Sequence, residues 1–485
     1  MSKEVTFNVR SEEMGVTAKW RGTAGDQRDM EKLQLAQQVR RNFGRTAMFG
    51  FSSTLICTWE ITLGSLGLTL MNGGTAGLFW NYVVVVIGFT FVYLSIAELG
   101  SIIPTAGGQY YWVSVLSPPK SQRYLSYVTG WLCATAWQTG ICSSAFLAGT
   151  IIQGLLILNK PDYVPHPYQG TLFVWMIVAV AIFFNTALAK KLPIFEILIV
   201  LVHLLGALII IPLWVLAPRN SAHNALLQFT NDGGWSTTGT STMVGMLSVV
   251  LSLLGLDCSV HMAEEIKDSS INLPMALLIG FGINGLLGFL VVVTACFTVV
   301  DVDDILSSPT GYLFLQYFYS TTKSFAGTNV MAAIMSKLAH DVPLNALGVS
   351  VVISILLSLI NIGSTAALNA IFSLNTASLL TSYMITIGSM LLWRLRGKPI
   401  PRSRWTLGRY GFANVGAMCY LLPVFVFSFF PSVTPPTPET MNWGVVMYSG
   451  VIIFSTVYYI LYGRHHYQPP TRDVGSRLVM DNLDI

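Results

Sequence analysis

Long apolar runs, rather than alternation of apolar and polar residues, dominate the chain. They occupy 47–71, 78–103, 124–157, 170–190, 193–217, 241–263, 273–300, 343–363, 367–393, 410–430 and 442–462, eleven segments in all. A helix needs roughly 20 apolar residues to span the ~30 Å core of a bilayer. Lipid cannot hydrogen-bond a free backbone group, so such runs are expected to be helices. A β-barrel would show strands of about ten residues alternating in polarity, and these runs do not alternate. The pattern predicts an all-α, polytopic membrane protein.

Turn residues fill the breaks: Asn72-Gly73-Gly74, Ser117-Pro118-Pro119, Lys160-Pro161-Asp162, Ala217-Pro218-Arg219 and the stretch from Pro431 to Pro438. Three regions are expected: a cytosolic N-terminal tail over 1–45, a transmembrane domain over 46–463 and a cytosolic C-terminal tail over 464–485. Within the first tail, Leu33, Ala36, Val39 and Phe43 have helical spacing. A short amphipathic helix over 29–43 and a disordered tail both fit. The first apolar segment comes too late for a cleaved secretory signal.

Composition agrees. Hydrophobic residues make up 53% of the 485 and charged residues only 10%, against about 25% charged in soluble domains. Mean hydropathy is +0.60. The six cysteines lie in apolar stretches without a CxxC pair, so they read as small packed side chains rather than a disulfide framework or zinc site. No cofactor, metal site or nucleic-acid partner is expected. The chain lacks the phosphate-binding GxxxxGK[ST] loop, HExxH and GxSxG, which argues against an ATP-driven pump and against the common hydrolases.

The distribution of positive charge sets orientation. With a cytosolic N-terminus, Lys120, Arg123, Lys190, Lys191 and Lys267 all fall in cytosolic loops. The most basic loop then breaks the rule. Arg394, Arg396, Lys398, Arg402, Arg404 and Arg409 would lie outside if only eleven segments cross. A further crossing between Val300 and Val342 would return this loop to the cytosol, but the apolar material there is confined to 325–338. Fourteen residues of helix cover roughly 21 Å, short of the ~30 Å needed. One crossing is therefore expected to be truncated or missing, through a real deletion or lost coding material.

Polar groups inside spans are costly and so mark candidate sites. Glu60 lies in the first segment, with Gly64, Ser65 and Gly67 beyond it. These small residues permit either an unwound stretch lining a cavity or close helix packing. In the sixth segment, Gly255-Leu256-Asp257 places a carboxylate at mid-depth, where it requires a partner or water. His261, Glu264 and Glu265 follow; the glutamates mark the helix end with a gating or capping role, and His261 is a packing, gating or proton-handling group. Glu98 stands near a membrane exit, ahead of Pro104, Gly107-Gly108 and Tyr110-Tyr111-Trp112, which read as a structured loop. Asn361–Asn375 is rich in amides and hydroxyls and reads as packing between helices.

Three strings together carry a resemblance: ELGSIIPTAGGQYYW after the second segment, GLDCSVHMAEEIKDSSINLPMAL around the sixth, and LSLINIGSTAALNAIFSLNT across the eighth and ninth. With NGGTAGLFW after the first, they resemble the amino acid–polyamine–organocation superfamily, most closely its fungal amino-acid/choline (GABA and choline) permease group. The resemblance runs from Arg41 to Tyr467. It implies twelve helices, the first ten as two inverted five-helix repeats, with helices 1 and 6 broken at mid-membrane. Half-helix N-termini would attract a carboxylate and free carbonyls an ammonium. On this sequence the breaks fall at Leu63-Gly64-Ser65 and Gly255-Leu256-Asp257, with Trp59 and Glu60 beside the pocket. Trp59 or Trp137 would offer a cation–π face to a quaternary ammonium. The family's eighth helix and the polar stretch after it collapse here to NVMAAIMSKLAHDVPLNAL.

The expected function is secondary active, proton-coupled import of a small amino acid, GABA, choline or related amine across the plasma membrane. The competing expectation is a non-transporting sensor or inactive permease.

Overall fold

The structure, a computed structural model, describes residues 22–470 apart from 34, 36, 38, 188–191, 309, 336–343 and 364. The outer parts of both expected tails, 1–21 and 471–485, lie outside it. The described residues form helices and turns, with no strand beyond two isolated bridges among them.

Among the described residues, nine helices are long and apolar enough to cross a membrane. The first apolar segment is not one of these, because it is broken into α2 (Arg45–Ile56), α3 (Thr58–Gly64) and α4 (Leu66–Met71); a short α1 (Ala24–Leu33) precedes it. Then follow α5 (Gly74–Ile102), α6 (Gly108–Leu116), α7 (Gln122–Asn159) and α8 (Pro167–Thr186). Next, α9 (Leu192–Gly206) continues through a 3-10 turn into α10 (Ile210–Leu216). A short α11 (Ala222–Leu227) leads to α12 (Thr238–Leu253), a 3-10 segment Leu256–Met262 and α13 (Ser269–Thr298). The short α14 (Val302–Leu306), α15 (Leu313–Thr322) and α16 (Phe325–Met335) precede the last four long helices: α17 (Leu344–Gly363), α18 (Thr365–Leu395), α19 (Ala413–Phe427) and α20 (Gly444–Tyr458).

Small and apolar residues pack these helices around a buried core that includes Trp59, Phe89, Tyr93, Trp112, Phe314 and Tyr383. Lipid-facing positions such as Val84, Ile87, Leu205, Val215 and Ile453 stay exposed, as the bilayer requires.

Hydrogen bonds distinguish the two ends of the bundle. At one end, α1 meets the basic loop: Arg404 reaches Asp29 and Asp268, each at 2.9 Å, and Lys32 donates to the Arg402 carbonyl. Trp405 N–H donates to Ser101 at 3.0 Å, and Arg123 donates to the Tyr467 carbonyl at 2.6 Å. The opposite end holds Asn72 with Ser432 at 2.9 Å, Asn220 N–H with Phe297 at 2.8 Å and Asn159 with Asn329 at 2.8 Å. The basic loop therefore lies at the same end as the N-terminal segment.

The sequence expects a crossing between Val300 and Val342 to be truncated or missing, and the described part of that stretch ends in the short helix α16. Asn329 of α16 sits at the opposite end, whereas Ile334 lies against Gly206 within the bundle, where Trp59 also approaches that glycine. At 1.5 Å per residue, the 11 residues of α16 rise about 16 Å. Residues 336–338, the rest of the stretch singled out in the sequence, lie outside the described residues. Helix α17 runs antiparallel to α8, with Ser358 near Thr171 and Trp175 and Val351 against the Val174–Val178 turn. Its Leu344 end thus points back toward the N-terminal end.

The N-terminal helix also departs from expectation. It spans Ala24–Leu33 rather than 29–43, with Asp26, Met30 and Leu33 buried. Phe43 makes no helical turn; its N–H and carbonyl pair with Glu265 and Lys267 in a short bridge.

Candidate functional site

The two interrupted segments lie side by side at the centre. In the first, Cys57 takes a left-handed conformation (φ 48°) between α2 and α3, a break the sequence reading did not place. Ser65 (φ −109°, ψ 13°) then separates α3 from α4, at the expected Leu63-Gly64-Ser65 position. In the sixth segment α12 stops at Leu253, and Gly255 has φ 101°, a conformation that side chains disfavour. The 3-10 segment then carries Asp257 through His261.

A cavity of about 1630 Å³ opens between these breaks and α7 and α18. Of the residues named from the sequence, Glu60, Gly64, Ser65, Gly255, His261 and Glu265 line it, together with Tyr110, Tyr127, Trp131 and Trp137. Gln138, Asn375 and Thr376 add polar groups. No lysine or arginine is among its described lining residues.

Trp59, Leu63, Leu256, Asp257, Glu264 and Glu98 are not in that wall. Trp59 is buried, its indole donating to the His203 carbonyl at 3.1 Å, whereas Trp137 presents its ring to the cavity. Leu63 and Leu256 are buried in the core. Asp257 is fully buried and fastens three elements: Tyr383 of α18 donates to it at 2.5 Å, Gln109 of α6 donates to its other oxygen, and His261 Nε2 stands 3.9 Å away. His261 Nδ1 meets the Ala106 carbonyl at 2.9 Å, and Glu264 accepts from Ala106 N–H at 3.2 Å. Glu98 is buried at the N-terminal end and receives Arg394 at 2.5 Å, Thr406 Oγ1 at 2.9 Å and Leu407 N–H at 2.9 Å. This carboxylate ties the basic loop to α5.

Of the loop read as ELGSIIPTAGGQYYW, Tyr110 lines the cavity and Gln109 donates to the buried Asp257, and sequence reading passed over Gln109. Tyr383 and His203 were also missed. His203 carries a visible signal: it interrupts the otherwise apolar run ILIVLVHLLG.

From Asn361–Asn375, Asn375 faces the cavity and donates to the Ala136 carbonyl at 3.0 Å; the side chains of 361–369 lie outside the described residues.

Comparison with known proteins follows this geometry. The sequence pattern of the family described as "Amino acid permease" matches residues 43–339 and 335–452, two pieces that meet at the end of the short helix α16. An uncharacterised amino-acid permease of Schizosaccharomyces pombe is 28% identical, over 92% of this chain and 90% of its own. Amino-acid permease 2 of Neurospora crassa is 25% identical over 92% and 90%. The choline transporter of Saccharomyces cerevisiae is 25% identical over 88% and 83%. Among solved structures, a manganese transporter mutant of Eremococcus coleocola superposes with a TM-score of 0.44 at 14% identity, covering 85% of this chain and 94% of that one. With the permease pattern spanning nearly the whole bundle, the chain belongs to the amino acid permease family and is a multi-pass membrane transporter, not an enzyme.

Proposed function

We propose that the chain moves a small amine or amino acid, bearing an ammonium group, through the central cavity by proton-linked alternating access in the plasma membrane. The observation that carries the substrate class is the cavity wall: Glu60 and Glu265, aromatic side chains that include Tyr110, Tyr127, Trp131 and Trp137, and no described lysine or arginine. A carboxylate and aromatic faces attract an ammonium, and no lysine or arginine among the described wall residues repels it. The resemblance to a choline transporter supports the same class. Interruptions in the first and sixth segments, five apart, support a pair of inverted five-helix repeats in which one half rocks on the other.

Uptake of labelled choline, GABA and an amino-acid mixture into permease-deficient yeast tests this reading. Saturable uptake of one of them, lost when the proton gradient is collapsed, is expected. A protein at the cell surface that takes up none of them overturns it.

One observation favours a second reading, a permease relative that senses or is inactive. Helix α16 is too short to cross, and the family match divides at 335–339. A chain that binds substrate without moving it would meet that reading.

A further inference from the structure

The loop that joins α18 to α19 carries more positive charge than the bundle uses. Six cations stand between Arg394 and Arg409, and the sequence holds no Asp or Glu from Asp341 to Glu439. Two of the six are paired within the protein, Arg394 with Glu98 and Arg404 with Asp29 and Asp268. Arg396, Lys398, Arg402 and Arg409 are exposed and make no ion pair among the described residues.

This loop is anchored along its length. Gly397, with φ 65°, turns the chain at the end of α18, and the Trp393 indole donates to the Pro399 carbonyl at 3.1 Å across that turn. Farther along, Trp405 N–H donates to Ser101 and Leu407 N–H to Glu98. Two of the unpaired cations are laid over rings. Lys398 Nζ stands 4.2 Å from the centre of the Trp393 ring, and the Arg409 guanidinium 5.0 Å from that of Tyr410. Arg394 lies against Gly411, so the end of α18 and the approach to α19 form one rim.

Apolar side chains face outward along the same rim. Leu395 is 73% exposed and Phe412 60%, and Leu392 and Val415, one turn deeper into the spans, are exposed as well. In a chain that spans a bilayer, such positions mark where hydrocarbon begins, and a tyrosine such as Tyr410 marks the interface. The four unpaired cations therefore stand at the level of the lipid headgroups.

We infer that this rim binds an anionic phospholipid. Lys398 and Arg409, with Arg396 and Arg402 on the same loop, hold the phosphate and acidic headgroup, and the acyl chains lie on Leu392, Leu395, Phe412 and Val415. The leaflet is the one at the end of the N-terminal segment, which the charge rule assigns to the cytosol. That leaflet carries the negative surface potential that attracts basic segments beside a span. A dissolved anion would gain from the charge alone, whereas a lipid gains from the charge and the apolar strip together. An anchored loop also loses little freedom on binding. The inference is independent of which solute the cavity carries.

The purified full chain in detergent is incubated with equal amounts of phosphatidylserine and phosphatidylcholine, and bound lipid is counted by native mass spectrometry. Preferential retention of phosphatidylserine is expected, weakening with salt because exposed charges are screened. Lys398→Gln and Arg409→Gln should each lower that preference about fivefold, the effect of one cation at an anionic surface. Lys160→Gln, at the opposite end, should leave it unchanged. Equal retention of the two lipids by the unaltered chain overturns the inference, whether or not the variants fold. A preference that survives both rim substitutions made together also overturns it. Glycerophosphoserine, inorganic phosphate and polyglutamate serve as competitors, and none should displace phosphatidylserine at matched concentration. Displacement by either of the first two would reveal a site for a dissolved anion, and displacement by polyglutamate one for an acidic protein; each overturns the lipid assignment.

Discussion

At the residue scale, charges inside apolar segments were the most legible part of the site, and their roles were the least. Glu60, Glu98 and Asp257 stand out in sequence because a bare carboxylate in lipid is costly. Sequence does not say whether such a group faces a ligand or a neighbour. Asp257 faces Tyr383 and Gln109, residues 126 and 148 positions away, and no local pattern connects them. Replacing Asp257 by Asn puts an amide N–H₂ against the Gln109 donor or turns its oxygen from Tyr383. Uptake is expected to fall at least about tenfold with the protein still in the membrane; unchanged kinetics would remove Asp257 from the transport machinery. Glu98 gives a sharper contrast. Arg394→Ala leaves a fully buried carboxylate without its cation, a loss of about 3–5 kcal/mol for pairs of this kind. Glu98→Gln removes the charge and retains an acceptor for Thr406 and Leu407. The Arg394 variant should therefore lose more thermal stability in detergent than the Glu98 variant, and the reverse order would show that the ion pair contributes little.

At the element scale, the interruption of the sixth segment was legible because glycine at a left-handed position leaves a trace in sequence. The interruption at Cys57 was not, since a cysteine with φ 48° has no compositional mark. The N-terminal region shows the same limit. Its apolar spacing left a helix over 29–43 and a disordered tail both open, but the observed helix ends at Leu33 and Phe43 pairs with Glu265 and Lys267. Arg41 explains why: its guanidinium reaches Asp26 at 3.1 Å and the Ile266 carbonyl at 2.5 Å. Burial pushes that guanidinium down and Asp26 opposes the shift. Next to it, hydrogen bonds from Thr23 and Arg404 hold the Asp268 carboxyl below its ordinary range. A depressed carboxylate stabilises above its ordinary value, and that contribution is lost as pH falls through the lower, folded value. Acidification through that window should loosen α1 from the basic loop. Spin labels at Glu31 and Arg402 should show dipolar broadening at neutral pH that fades in acid, and Asp268→Asn should weaken it already at neutral pH. Broadening unchanged by either would mean that apolar contacts of Met30 and Leu33 hold the segment alone.

At the scale of the whole molecule, charge counted along the sequence exposed a topological defect that hydropathy alone missed. Eleven apolar segments put the basic loop on the wrong side, whereas in the bundle that loop lies at the end of the N-terminal segment. The chain from Thr298 to Leu344 must then traverse the bundle, since α13 ends at the end opposite the N-terminal segment and α17 begins toward the N-terminal one. Parity follows: the N-terminal segment, the basic loop and Tyr467 share one end, as the bonds from Arg404 to Asp29 and from Arg123 to Tyr467 require. A fluorescent reporter fused after residue 470 and one fused before α1 should consequently both be shielded from an extracellular protease in intact cells. A reporter in the loop between α19 and α20, near Pro436, should be cut. If the C-terminal reporter is cut and the N-terminal one is not, the chain does not cross between Thr298 and Leu344 and the last four helices are inverted. The contacts of Glu98 with Arg394 and of Arg404 with Asp29 could then not form, so the same protein should also be insensitive to Arg394→Ala. The two measurements together separate a shortened but functional crossing from one that has been lost.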